Sequence, residues 1–177
     1  MPNWCSNTLT LSHEDPAQIR RAADAFQRGE LLQELVPNPS SEWNYEWSCE
    51  HWGTKWDVGG KDYSEPDISD DGRRMTVNFD SAWAPPTAAY DVMLDQGFDV
   101  EAMYYEPGCA FAGIYSGGSD DNYDLTDMDS KAAKEALPPD LDDWFAISDT
   151  MAEYEDEEPL TEWYIQGAKD KGLIKDE

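Results

Sequence analysis

The sequence predicts a mixed α+β domain followed by an acidic, mostly helical extension, and three observations carry that reading. Several runs alternate apolar and polar residues at the period of a half-buried strand; two segments repeat apolar residues at helical spacing; and the composition changes past Gly117. At 177 residues, 40% of them apolar and eight of them tryptophan, the chain can bury one core and carry a small appendage.

The elements follow in order. Residues 3–12 place Cys5, Asn7, Leu9 and Leu11 on one face and Ser6, Thr8 and Thr10 on the other, the pattern of a strand with one buried side. A helix starts between Ser12 and Pro16, because Ile19, Ala22, Ala23 and Phe26 recur at i, i+3, i+4 and i+7 until Gly29. Residues 30–37 form a short apolar turn that Pro37 and Pro39 close. From Trp43 to Trp56 the chain carries Trp43, Tyr45, Trp47, Trp52 and Trp56, which reads as an aromatic strand reaching a turn at Asp57-Val58-Gly59-Gly60. After the turn signal Asp70-Asp71-Gly72, Met75 to Asp80 alternates cleanly as a strand. Pro85-Pro86-Thr87 opens a second helix, with Tyr90, Met93 and Leu94 on one face and Gly97 as its C′ residue. Residues 98–106 and 109–116 alternate again and are joined by Glu106-Pro107-Gly108, giving an antiparallel hairpin. The order is β-α-β-β-α-β-β over a domain of residues 1–116.

Residues 117–177 form the second region, with 19 acidic and 5 basic side chains. Leu141, Trp144, Phe145 and Met151, then Leu160, Trp163 and Tyr164, keep helical spacing, so the expected extension is helical, with Glu153 to Glu158 as a solvated joint.

Charge narrows the function. A formal net charge of −27 repels phosphate backbones and anionic lipid, so nucleic acid and membrane are not expected as direct ligands. Met1-Pro2-Asn3-Trp4 offers neither a basic nor an apolar leader segment, and no run approaches the roughly 20 apolar residues of a membrane span. Cys5, Cys49 and Cys109 are odd in number and widely spaced, as in a reducing compartment. The expected location is cytoplasmic.

Three motifs, Met1-Pro2-Asn3-Trp4-Cys5-Ser6-Asn7, Trp52-Gly53-Thr54-Lys55-Trp56-Asp57 and Phe79-Asp80-Ser81-Ala82-Trp83-Ala84-Pro85-Pro86, occur in that order. Together they resemble the YubB family of ferredoxin-like domains found in phage and conjugative-plasmid proteins. The resemblance implies a ferredoxin-like βαββαβ sandwich, here with an extra antiparallel strand, over about residues 1–116. It brings no activity and no catalytic residues with it. The family name describes topology, and no CxxCxxC run for an iron–sulfur cluster is present.

Each constellation has a plain and a functional reading. Trp52, Trp56 and Trp83, with Gly53 and Asp57, are either core or an exposed aromatic platform for a ligand. Lys55 and Asp57, two apart on the expected strand, could pair as ions. Cys49-Glu50-His51 sets a thiol near an imidazole, yet a zinc site needs about four ligands and a catalytic thiol needs an orienting third group. GxxxxGK[ST] and GxGxxG are both absent, so no nucleotide site and no cofactor is expected.

The leading expectation is a non-enzymatic phage or mobile-element protein. It would bind and inhibit a basic, nucleic-acid-handling host defence protein by imitating DNA, in the manner of anti-restriction or anti-CRISPR inhibitors. The candidate contacts are Asp120, Asp121, Asp124, Asp127, Asp129, Asp140, Asp142, Asp143, Asp149, Glu153, Glu155, Asp156, Glu157 and Glu158, since duplex DNA presents one negative charge per ~1.7 Å. The alternative is a protein- or peptide-binding module that grips through Trp43, Trp47, Trp52 and Trp56 while the acidity keeps it soluble. A saline habitat is a further source of the charge, and an open sheet edge leaves room for a homodimer.

Overall fold

In the computed structural model, residues 3–40 and 42–155 are described, and they fall in two compact units that meet between Thr126 and Asp127. The first unit is a mixed α+β domain. Its single sheet has six strands, β1 (Trp4–Ser12), β2 (Asp67–Ile68), β3 (Arg74–Ala82), β4 (Asp99–Glu106), β5 (Phe111–Ser116) and β6 (Ser119–Asp124). They lie in the order β2-β3-β1-β4-β5-β6, and every neighbouring pair is antiparallel.

Period-two alternation decides which face is buried. Leu9 sits between Val77 and Ala102, Leu11 between Met75 and Val100, and Ala102 beside Tyr115, so one sheet face is continuously apolar. That face packs under α1 (Pro16–Arg28), α2 (Leu31–Leu35) and α4 (Thr87–Asp95) through Ile19, Phe26, Leu32, Leu35, Tyr90 and Met93. Helix α1 begins where the proline pattern indicates: the Asp15 carboxylate accepts from the Ala17 amide at 2.9 Å, and Gly29 ends the helix at φ 75°.

Two segments depart from the sequence-based expectation. The aromatic strand expected over Trp43 to Trp56 is a helix, α3 (Tyr45–His51), followed by a turn. Asn44 caps it by accepting from the Trp47 amide at 2.9 Å, and Trp47 stacks on His51 one turn later, centroids 4.4 Å apart. The two-residue β2 takes the place of the expected strand. The second departure is β6: residues 119–124 pair with β5, so the sheet domain runs to Thr126 and the boundary expected after residue 116 falls too early.

The expected Lys55–Asp57 ion pair is also replaced. Asp57 accepts from the amides of Leu32 at 2.7 Å and Gln33 at 2.8 Å, serving the start of α2, and Lys55 lies over the Trp56 ring instead. Burial pushes the Asp57 carboxyl up to about 6, against the lowering effect of the amides it accepts from.

The second unit, described by itself to Glu155, contains α5 (Ser130–Ala136) and α6 (Pro139–Phe145). No helix among the described residues is long and apolar enough to cross a membrane.

Candidate functional site

The three motifs that lie far apart in the chain converge at one end of the sheet. Pairing of β1 with β3 sets Trp4 opposite Ala82, and the Trp83 amide donates to the Asn3 carbonyl at 3.0 Å. The Thr54 hydroxyl donates to the Ala82 carbonyl at 2.9 Å, and Ser81 donates to the Ala84 carbonyl at 2.8 Å while accepting from Asn7 at 2.9 Å. Side chains or backbone from every motif therefore clamp residues 81–84.

What the clamp holds is Trp83 at φ 76°, a left-handed backbone that a bulky residue rarely adopts. Four hydrogen bonds over-determine this strain, and the side chain they project is 45% exposed. Trp4 and Trp56 are 47% and 38% exposed, with ring centroids 6.0 Å apart. The Lys55 ammonium lies 4.3 Å from the Trp56 centroid, and the Trp43 indole donates to the Lys55 carbonyl at 3.0 Å. Trp43, Lys55, Trp56 and Trp4 thus form a connected, exposed aromatic belt, with Trp83 held one residue past Ala82, the β3 partner of Trp4.

Of the four aromatic candidates, Trp43 and Trp56 belong to this belt. The other two serve packing: the buried Trp52 indole donates to the Val36 carbonyl at 2.9 Å, and half-buried Trp47 stacks on His51 and sets its edge toward Trp52. Trp4 is the residue the sequence reading missed as a contact; its exposed face at the strand start was the available signal.

The carboxylate candidates divide by what they touch. Asp120 accepts from the Tyr104 hydroxyl at 2.7 Å, Asp124 closes a turn on the Thr126 amide and hydroxyl, and Asp129 caps α5 at the Ala132 amide. Glu155 accepts from the Ser130 amide and hydroxyl, and Asp149 lies 3.8 Å from Lys134. Asp142 corrects the expectation outright: it is buried and accepts from the Ser148 amide at 2.7 Å and hydroxyl at 2.6 Å, so it faces no partner. Asp121, Asp127, Asp140, Asp143 and Glu153 are exposed, and their carboxylates have no partner among the described residues. Asp156, Glu157 and Glu158 lie outside the described residues.

Of the three free thiols, Cys5 is buried, Cys49 half-buried and Cys109 exposed. Burial pushes the Cys5 thiol up to about 12, which keeps it protonated and unreactive. His51 turns its Nδ1 to the Trp47 carbonyl at 3.0 Å rather than to Cys49.

The first unit is a mixed α+β domain that leaves Trp4, Trp56 and Trp83 exposed, in a chain of net charge −27. No family model and no curated protein matches the chain. Among solved structures, protein api92 from Yersinia pseudotuberculosis, of the family model DUF1281, is similar at 14% identity with a TM-score of 0.36. The likeness covers 52% of this chain and 38% of that one, too distant to define a family.

Proposed function

We propose that the protein is a non-enzymatic binding module that docks a basic partner protein through the corner of Trp4, Trp56 and Trp83, flanked by Trp43. The observation that carries this is Trp83: an exposed indole held in a strained backbone contributes little to a core, yet four hydrogen bonds keep it presented. Tryptophans dominate binding hot spots because they bury 150–250 Å² each on few rotatable bonds. The charge of −27 sets the sign of the partner and steers its approach.

The order β2-β3-β1-β4, with α1 after β1 and α4 after β3, supports reading the domain as a ferredoxin-like core with β5 and β6 appended. With the motif resemblance, this favours a phage or mobile-element protein that acts in the bacterial cytoplasm and inhibits a nucleic-acid-handling defence protein. A second reading, imitation of DNA by the carboxylates themselves, is favoured by the exposed side chains of Asp121, Asp127, Asp140, Asp143 and Glu153, which have no partner among the described residues.

Quantitative capture from bacterial lysate separates the readings. Trp56→Ala and Trp83→Ala should lose a partner that the parent protein retains at low salt, with circular dichroism unchanged, whereas Asp121→Asn with Asp140→Asn should weaken it only modestly. The reverse ranking establishes mimicry.

A further inference from the structure

Beside the tryptophan corner lies a concavity of about 460 Å³, walled by Tyr104, Phe111, Asp120, Asn122, Asp124 and Cys109. Its floor depends on Gly113: a Cβ there would stand well inside contact distance of the Tyr104 hydroxyl. The bare glycine lets the Tyr104 ring lie across β5, where its hydroxyl donates to Asp120 Oδ1 at 2.7 Å and accepts from Asn122 at 3.1 Å. Phe111 meets that ring edge-on, centroids 6.1 Å apart.

Two carboxylate oxygens are left over. Asp120 uses Oδ1 on Tyr104, and Asp124 uses Oδ1 on Thr126, so each keeps Oδ2 without a partner among the described residues. The Thr126 bonds also hold the Asp124 carboxyl below its ordinary value, and hence ionised. The lining contains no lysine, arginine or histidine. An anion is repelled here, and an apolar group would desolvate carboxylates without compensation. A planar cation satisfies both demands, because a guanidinium stacks on an aromatic face, here that of half-buried Phe111, and donates to carboxylates in a fixed fork.

The geometry points to this concavity as the seat of an arginine side chain presented by the partner, a deepening that rests on the basic-partner reading above. Along the chain the rim adjoins the corner residues: Ala84 and Pro85 follow Trp83, Gly53 precedes the turn to Trp56, and Asn3, next to Trp4, donates to Cys109 Sγ at 3.4 Å.

The test is an amide NMR titration of the full chain with N-acetyl-arginine amide, with the uncharged isostere N-acetyl-citrulline amide and with N-acetyl-lysine amide. Arginine should shift the amides of Cys109, Phe111 and Asn122 saturably, with binding about tenfold weaker for citrulline and weaker also for lysine. Asp124→Asn, at a side chain that is exposed and bonded among the described residues to Thr126 alone, should weaken arginine about tenfold; Asp120→Asn should do the same where it folds. Equal response to citrulline, preference for lysine, or arginine shifts indifferent to Asp124→Asn would overturn the assignment. Unmoved pocket amides alongside partner capture that still depends on Trp56 refute the pocket alone. Arginine binding in the pocket with no Trp56-dependent capture upholds the pocket and refutes the docking corner.

Discussion

Replacing Trp83 by glycine and by alanine in parallel measures whether its backbone is strained for the sake of its side chain. At φ 76° an L-residue is expected to sit about 1–2 kcal/mol above its relaxed conformation, and glycine removes that term. Glycine in turn loses about 0.4–1 kcal/mol through the greater entropy of its unfolded chain. On the midpoints of those ranges Trp83→Gly is about 0.8 kcal/mol more stable than Trp83→Ala, opposite to the usual order inside a regular element. Both variants delete the same partly exposed indole, so lost packing cancels in the comparison. Urea unfolding followed by far-ultraviolet circular dichroism reads the gap as a displaced midpoint at constant slope. Both variants should lose the partner equally. An alanine variant as stable as the glycine variant would refute the argument, because the clamp would then hold an unstrained residue and Trp83 would need no functional reason.

Two further outcomes follow. Gly113→Ala should destabilise the domain by about 1–3 kcal/mol and abolish arginine-amide binding, since the new methyl drives Tyr104 off β5; wild-type stability in urea would contradict the role given to that glycine. Asp57 has a folded-state value of about 6 against an ordinary 3.8, so the native state binds the extra proton and stability falls as pH rises through that window. The wild type should therefore gain about 2 kcal/mol relative to Asp57→Asn between about pH 7.5 and about pH 4.5, and parallel pH profiles would remove Asp57 as the cause.

Much of the sheet was legible because burial writes itself into alternation. Leu9, Leu11, Val77 and Val100 face the helices and their chain neighbours do not, and the caps of α1 stand in plain view as Asp15 and Gly29. The strand β6 was invisible for the complementary reason. Ser119-Asp120-Asp121-Asn122-Tyr123-Asp124 forms the sheet's outer edge, where backbone bonds to β5 require no apolar side chain and charge guards against edge-to-edge pairing. In α3 the aromatic content of Tyr45 and Trp47 argued for a strand, and the decisive residue was the Asn44 cap. The corner itself was half legible. Trp56 and Trp83 stood out as residue types, but only the β1–β3 register brings Trp4 to the same place. Among the acids, number concealed division of labour: Asp142 is buried on Ser148, while Asp121 is exposed and has no partner among the described residues.

The central claim is that the tryptophan corner, rather than the free carboxylates, meets the partner. Site-specific photocrosslinking tests it most directly, with a photoreactive phenylalanine derivative replacing Trp56 in one protein and Asp140 in another, each irradiated in bacterial lysate at low salt. The account predicts a discrete crosslinked product from position 56, diminished by high salt, and none of comparable yield from position 140. A strong product from position 140 with none from position 56 would contradict it and place the contact on the acidic surface.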